Sequence, residues 1–277
     1  MIDNALGKGF EKFPVFNKSY IRKNNIKRIK ATYFYKRTGD IMRDAGEVTQ
    51  VYFDRKGQLV TFLETKVKGR YIDTVENSYE YSPKGLVSKF RNRIGNDYKS
   101  TYYTYDTIGN VIKEEYHLER KIVQEEREKF SDSLLDYETM RYKLYPTQRK
   151  KIVYNSYGNP YLDVIYYYNK RNQIAEIDTK LKMTSEINET KFFYNENNQV
   201  DSTVRYSSLT PNETESVYFH YDVNNNLLDT KLYVNKKLIY HVEFIYNEKT
   251  GLLSSILKQE IETNFLSIIR FETTFFD

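Results

Sequence analysis

The sequence predicts an all-β fold, a repeat array of antiparallel β-hairpins with about nine to ten units of roughly 25 residues that form a curved or spiralling sheet. One observation is composition: 28 Tyr and 16 Phe stand beside only 11 Gly and 5 Pro, and Tyr and Phe favour half-buried strands. The other is a recurring pattern, in which an aromatic residue, a short polar turn and a return to apolar alternation follow one another along the chain.

The best-preserved unit runs from Tyr103 to Val111. We predict that Asp106 accepts hydrogen bonds from the turn backbone and that Gly109 takes the positive φ that closes the turn. Val111 then restarts the apolar alternation.

The same pattern recurs in chain order at turns that begin after Tyr35, Phe53, Tyr81, Tyr154, Tyr168, Tyr194, Tyr221 and Tyr246. In the turns after Tyr168, Tyr194 and Tyr221, Asn replaces Gly, and Asn is the other residue that tolerates the left-handed region. We therefore predict that these turns keep their geometry. The predicted turn residues are Asp54, Gly57, Asp106, Gly109, Gly158, Asp222 and Gly251.

Residues 112–150 are the least regular part of the array. The stretch from Glu114 to Lys129 is dense in Glu, Arg and Lys, which are good helix formers, so a helix is one alternative. A degenerate repeat at Phe130-Ser131-Asp132-Ser133 has the expected spacing and favours strands.

The N-terminal residues differ from the rest, and we predict two regions: a basic, Phe-rich arm over residues 1–31 and a single repeat domain over residues 32–277. Between Lys12 and Arg37 the chain has nine basic residues and no acidic one, whereas the whole protein carries a net charge of +5. The residues predicted to dock a partner are Phe10, Phe13, Phe16, Lys18, Arg22, Lys23, Lys27, Arg28 and Lys30. Such a segment suits an acidic protein or an anionic lipid, and a plain solvated face is the alternative. The acidic remainder of the chain argues against nucleic acid.

The motif Tyr103-x-Tyr105-Asp106-x-x-Gly109-Asn110-Val111, with Tyr221-Asp222 and Tyr246-Asn247 behind it, resembles the YD-repeat, or Rhs-like, family. The Asn- and Lys-rich form looks like a divergent envelope protein of Bacteroidetes. This resemblance implies a non-catalytic scaffold of β-hairpins and an exported location. It covers roughly residues 33–255, without the toxin domain or core protease motif of the long Rhs proteins.

The sequence gives no chemistry that points to an enzyme. Without Cys, thiolate metal sites and cysteine nucleophiles are excluded, and no nucleophile elbow or phosphate loop occurs. His117, His220 and His241 are interpreted as strand-surface residues, although His220 and His241 could approach each other across strands. The acidic pairs Glu114-Glu115 and Glu125-Glu126 are interpreted as solvated. We predict no catalytic residue, no cofactor and no metal.

The predicted function is a non-enzymatic interaction or scaffold protein of the bacterial cell envelope. It would be a subunit that docks on another envelope protein, such as an outer-membrane secretion assembly. The alternative is a glycan-binding module that stacks sugars on aromatic ladders, with Tyr166 and Tyr168 as candidates. No apolar run is long enough for a membrane-spanning helix, and the expected location is the periplasm or cell surface, with the export signal already removed.

Overall fold

The computed structural model describes residues 1–124 and 127–277. Within these residues the chain forms one short helix and eighteen strands that belong to a single antiparallel sheet. The elements are α1 Lys18–Lys23, β1 Ile26–Lys36, β2 Arg43–Phe53, β3 Leu59–Lys68, β4 Tyr71–Tyr81, β5 Val87–Ile94, β6 Asp97–Tyr105, β7 Val111–Gln124, β8 Arg127–Tyr145, β9 Gln148–Tyr154, β10 Pro160–Tyr168, β11 Ile174–Leu181, β12 Ile187–Tyr194, β13 Val200–Ser207, β14 Thr214–Tyr221, β15 Leu227–Val234, β16 Lys237–Tyr246, β17 Leu253–Glu260 and β18 Leu266–Phe275.

The sheet closes on itself. Each strand pairs with the next along the chain, and β1 pairs with both β2 and β18. The predicted all-β array of antiparallel hairpins is therefore confirmed. The prediction of a curved or spiralling sheet is wrong, because the array is a closed β-barrel. Closure satisfies the backbone groups of the first and last strands, which an open sheet would leave unpaired.

The irregular segment consists of strands. In the described residues, β7 and β8 are the longest elements, with 14 and 19 residues. In the described residues of this region, most of which belong to β7, β8 and the start of β9, the alternative of a helix is wrong.

The turn after β6 is held by the side chain of Asp106. Its Oδ1 accepts hydrogen bonds from the backbone N–H groups of Ile108 and Asn110, at 3.1 and 2.8 Å. Gly109 has a φ of 89°. Desolvation would raise the pKa of Asp106, but the hydrogen bonds from the backbone and side chain of Asn110 and from Ile108 outweigh it and lower the pKa.

This turn chemistry repeats around the barrel. A side-chain oxygen accepts the N–H of the residue four positions later at Asp54, Ser82, Asp106, Asn155, Asn169, Asn195 and Asp222. Where Gly is missing, Asn172, Asn198 and Asn225 take positive φ values of 59°, 62° and 65°. The geometry of the turns thus survives the change of residue, as the sequence predicts.

The tyrosine before the turn ties neighbouring turns together. In five places its hydroxyl donates to the carbonyl oxygen of the first residue of the preceding strand, at 2.6–3.0 Å. These tethers are Tyr81 to Leu59, Tyr105 to Val87, Tyr194 to Ile174, Tyr221 to Val200, and Tyr246 to Leu227. Connections that follow even-numbered strands lie at one end of the barrel, and we call it the turn end.

The two faces of the strands differ in polarity. On β14, Phe219 is buried while Tyr218 and His220 on the opposite face are exposed. On β16, Phe244 is buried and its neighbour Glu243 is exposed. On these strands the inner face supplies core residues and the outer face is exposed, which follows from the period-2 alternation of a strand.

The N-terminal residues enter the core. Asn17 caps α1 by accepting the N–H of Tyr20 at 3.0 Å, and Ile21 of this helix is fully buried. The arm belongs to the same hydrophobic cluster as the inner wall of the barrel. The division into residues 1–31 and 32–277 stays a prediction, and β1 begins at Ile26, within the predicted arm.

Among the described residues, no helix is long and apolar enough to cross a membrane.

We predict that Tyr246→Phe lowers the free energy of unfolding by about 1–2 kcal/mol, because it leaves the carbonyl of Leu227 without its hydrogen bond. Urea unfolding monitored by circular dichroism measures this change. Tyr71→Phe is the matched control, since Tyr71 is 80% exposed. Equal effects of the two substitutions would refute a stabilising role for the tethers.

Candidate functional site

A basic patch lies at the turn end of the barrel, where α1 rests on two turns. A Cβ atom on Gly57 would lie 2.3 Å from the carbonyl oxygen of Lys18 and 2.9 Å from the nitrogen of Arg22, so glycine permits this close approach. The Nζ of Lys18 extends to the turn that contains Gly85. The patch comprises the exposed residues Lys18, Arg22, Lys23, Arg55, Lys56 and Lys84.

Two acidic residues, Asp54 and Asp277, lie beside the patch. The carboxylate of Asp54 accepts the backbone N–H groups of Lys56 and Gln58. Asp277 offers its backbone oxygen to the guanidinium of Arg55, which also lies over the ring of Phe276 at 4.9 Å. Arg55 is thus engaged by Asp277, whereas the other five cations of the patch are exposed to solvent.

The structure separates the predicted docking residues into groups. The rings of Phe10, Phe13 and Phe16 point inward and pack edge-on against Phe244, Phe62 and Phe53. These rings already have partners within the chain.

The predicted basic residues remain at the surface. Lys18, Arg22 and Lys23 belong to the patch, and Lys27 is exposed at the register shift between Ile26 and Arg28 of β1. Arg28 and Lys30 lie farther along β1, where Lys30 pairs with Glu272 at 3.6 Å. A docking role for the basic residues stays a prediction.

The predicted turn residues Asp54, Asp106 and Asp222 accept turn hydrogen bonds. The predicted turn glycines Gly57, Gly109, Gly158 and Gly251 have positive φ.

A cavity of about 760 Å³ lies between the arm and the inner wall formed by β13–β17. Arg205 on its wall pairs with Glu215 at 3.1 Å and with Glu11 of the arm at 3.7 Å. The ammonium of Lys258 lies over the ring of Tyr240, 4.1 Å from its centroid. Burial lowers the pKa of Lys258, and the charge of Glu260 acts in the opposite direction.

A second groove, on the outer face of β14 and β15, has a volume of about 790 Å³. Tyr218 and Tyr233 form an edge-on pair there, with ring centroids 5.5 Å apart. Ser216, His220 and Lys231 are among the other residues that line the groove. Tyr166, by contrast, is a predicted sugar-stacking residue that is half-buried on the inner face. In the sheet it lies opposite Arg149 of β9 and Ile177 of β11. Burial raises its pKa.

The histidines are on strand surfaces beside carboxylates. His220 Nδ1 lies 2.8 Å from Asp229 Oδ1, and His241 Nε2 lies 3.6 Å from the same oxygen. His117 pairs with Asp132 at 2.7 Å. Asp229 thus lies between His220 and His241, the two histidines that were expected to approach each other across strands.

Carboxylates that the sequence analysis did not single out meet on the outer face of β11 and β12. Ligand atoms of Glu176, Asp178 and Glu189 lie within 4.8 Å of one another, and Lys191 pairs with Glu189 at 2.6 Å. Burial, followed by the charges of Asp178 and Glu189, raises the pKa of Glu176. In the sequence, the i, i+2 spacing of Glu176 and Asp178 places both on one face of a strand. Their proximity to Glu189 depends on the register between β11 and β12, which the sequence does not show.

The predicted acidic pair Glu114-Glu115 divides between the two faces of β7. Glu114 accepts a hydrogen bond from Tyr116, whose hydroxyl also lies 3.1 Å from Glu138, and Glu115 pairs with Lys113. Burial and these two carboxylates raise the pKa of Tyr116. Glu125 and Glu126 lie outside the described residues.

The outer face of β5–β7 holds a buried ionic network around Glu119. The side chain of Glu119 is 3% exposed and contacts Lys89 and Arg91, with its Oε2 3.0 Å from Arg91 Nε. Burial would raise the pKa of Glu119, but hydrogen bonds from Lys89 and Ser100 and the charges of Lys89 and Arg91 outweigh it and lower the pKa.

The fold defines the chain as a closed antiparallel β-barrel with an N-terminal arm in its core. No protein-family model and no curated protein matches it. Among solved structures it is similar to porin-like proteins from Bacteroides vulgatus and Bacteroides uniformis, each with 9% identity and a TM-score of 0.37. These alignments cover 91% and 90% of this chain and 99% and 98% of the porin-like chains.

The Photorhabdus luminescens Tc holotoxin pore aligns with 84% of this chain and 14% of its own, at 10% identity and a TM-score of 0.32. Similarities this low identify neither the function nor the family. Membership of the YD-repeat family stays a hypothesis from the sequence.

We predict that Glu119→Gln lowers the free energy of unfolding by about 3 kcal/mol at pH 7, because it leaves two cations without a buried counter-charge. Because the pKa of Glu119 is lowered in the folded state, its contribution is present above the unfolded-state value near 4.5 and is lost as pH falls through the folded-state pKa. Urea titrations from pH 7 to pH 3 should therefore show the mutant and wild type converging.

Glu80→Gln is the matched control, since Glu80 pairs with the same Arg91 but its side chain is 56% exposed. Its cost should stay below about 1 kcal/mol. A Glu119→Gln cost equal to that of Glu80→Gln would contradict the importance of the buried network.

Proposed function

We propose that this barrel is a non-enzymatic interaction protein of the bacterial cell envelope that docks an acidic protein partner through the basic patch. The observation that carries the proposal is the assembly of six exposed cations from α1 and two turns, with the neighbouring Asp54 occupied by turn hydrogen bonds. The partner is a protein of the periplasm or cell surface, and an outer-membrane secretion assembly is one partner of this kind. The cellular location rests on the resemblance of the sequence to YD-repeat envelope proteins.

Charge and rigidity both support docking at this end. A cluster of like charges attracts an oppositely charged surface and accelerates association. The patch is held by α1, whose Ile21 is fully buried, and by turns fixed through side-chain hydrogen bonds. The patch thus requires little ordering when a partner binds, which lowers the entropic cost of association.

The polarity of the wall favours an aqueous setting for this interaction. Outward positions carry ion pairs such as Lys150 with Asp163 and Lys191 with Glu189, whereas inward positions carry Phe219 and Phe244. A barrel wall that contacts lipid has an apolar outer band. We therefore propose that this barrel presents its outer face to water and to other proteins.

The test is photo-crosslinking in intact source cells, with a photoreactive residue in place of Ser19 on α1. We expect Lys23→Glu/Lys56→Glu to reduce crosslinking to the wild-type partner about tenfold, because it reverses two charges of the patch. Fractionation of the crosslinked product reports the compartment. Raising the salt to 0.5 M should weaken the complex, since exposed charges are screened.

The matched control is Lys36→Glu/Arg37→Glu, which makes the same change in charge at the opposite end of the barrel. Unchanged crosslinking in the patch variant, or equal losses in both variants, would overturn the proposal. Deletion of residues 1–31 is not a usable test, because it removes Ile21, Ile26 and Ile29 from the core.

A glycan-binding role is the second candidate, and the outer groove of β14 and β15 favours it. Tyr218 is 44% exposed and forms an edge-on pair with Tyr233, while Ser216, His220 and Lys231 offer polar groups beside the rings. Exposed aromatic rings with adjacent hydrogen-bonding groups suit the apolar faces and hydroxyls of a sugar.

For this candidate, we expect migration in polysaccharide-containing gels to be slowed and Tyr218→Ala to abolish most of the retardation. Tyr157→Ala is the control, since Tyr157 is 87% exposed in a distant turn. Normal migration across a broad polysaccharide panel would reject glycan binding and leave the docking proposal intact.

A further inference from the structure

The cavity between the arm and β13–β17 has the size of a small-molecule site. Its volume of about 760 Å³ falls within the range of roughly 300–1,000 Å³ that is typical of ligand pockets. It is separate from the basic patch, because it lies against the inner wall and the part of the arm that precedes α1. It is also separate from the outer groove of β14 and β15, which lies on the other face of these strands.

The lining of the cavity is largely apolar. The arm contributes Phe10, Phe13 and Val15, and the wall contributes Val217, Leu232 and Val242. Water in such a space leaves apolar surface hydrated, and a hydrocarbon chain would remove that surface from water. The apolar lining of the cavity therefore favours a ligand with an aliphatic group.

The charged groups of the cavity are unbalanced. Its two acidic residues, Glu11 and Glu215, both pair with Arg205. Lys258 has no ion pair among the described residues, and its ammonium contacts the ring of Tyr240. Glu260, the carboxylate nearest along β17, accepts a hydrogen bond from Thr263 at 2.6 Å.

Lys258 therefore bears an incompletely compensated charge. A half-buried ammonium loses hydration, and contact with an aromatic face replaces only part of it. The lowered pKa of Lys258 agrees with this environment. Lys8 and Lys12 of the arm add further positive charge at the border of the cavity.

We propose that the cavity binds an anionic amphiphile, with one acyl chain along Phe10, Phe13 and Leu232 and its acidic head group at Lys258. A neutral hydrocarbon would leave the ammonium unpaired, and a small inorganic anion would leave the apolar wall in water. The head group can be a carboxylate or a phosphate, since both pair with an ammonium.

Isothermal titration calorimetry with the full chain tests this site, using laurate, dodecyl phosphate and dodecyltrimethylammonium below their critical micelle concentrations. We expect saturable binding of at least one of the two anions, and the tighter of them identifies the head group. The cation should bind at least tenfold more weakly. Octanoate should bind at least tenfold more weakly than laurate, because it buries four fewer methylene groups.

Lys258→Met should weaken binding of the anion about ten- to a hundredfold, the range for loss of a charge-assisted hydrogen bond. Lys258→Arg should retain affinity within a few-fold, and circular dichroism verifies that both variants are folded. Lys231→Met is the matched control on the outer face of β15, and it should leave the affinity unchanged. With selectively labelled lysine, NMR titration should show that the ligand raises the pKa of Lys258.

The proposal is overturned if neither anion binds saturably, if the cation binds as tightly as the anions, or if Lys258→Met folds and binds normally. It is also overturned if Lys258→Arg folds and loses affinity as completely as Lys258→Met. These outcomes are independent of docking, because Lys258→Met leaves every cation of the basic patch in place. Partner crosslinking through α1 should be the same with and without this substitution.

Discussion

The hydrogen bond from a tyrosine hydroxyl to the first carbonyl of the preceding strand is the interaction on which the rest of the barrel depends. It links two successive turns at one end, as Tyr105 does with Val87 and Tyr246 does with Leu227. Each turn is itself fixed by an Asp, Asn or Ser side chain that accepts backbone N–H groups. Together these bonds fix the register of every hairpin they join, and in a strand a shift of one residue would exchange the inner and outer faces.

A fixed register explains why the interior can be apolar while the outer face carries ion pairs. It does not by itself fill the space inside so many strands. The N-terminal arm fills part of it. Phe13 packs against Phe62 of β3 and Phe271 of β18, which flank the β1–β2 pair, and Ile21 is completely buried. The arm thereby joins stability to function: its apolar residues complete the core, while its cations form part of a surface patch.

Only part of each candidate site could be predicted from the sequence. The positive charge of residues 12–37 was visible, but the sequence did not indicate that Arg55 and Lys56 would extend the patch or that Lys36 and Arg37 would lie at the far end. The phenylalanines of the arm were interpreted as docking residues because a short apolar segment needs a partner. That partner is the inner wall of the barrel, and only the tertiary structure supplies it. Lys258 gave no signal at all, since the role proposed for it rests on its position at the cavity and on the contact of its ammonium with Tyr240, which only the tertiary structure creates.

The sequence by itself determined the repeating unit: the all-β class, the hairpin period, the Asx side chains in the turns and the Asn residues with positive φ. The turn features rest on contacts between residues about four positions apart, such as Asp106 with Asn110. The all-β class and the hairpin period follow from composition and from the alternation within each strand, so local sequence is enough to predict them. The tertiary structure alone decided that the array closes, that the arm turns inward and that a cavity remains beside it. These depend on pairings such as Ile26 with Phe275 and Asn4 with Tyr221, which are separated by most of the chain. No local pattern encodes such contacts, because they form only when all the hairpins are in place and the total twist brings the first strand to the last.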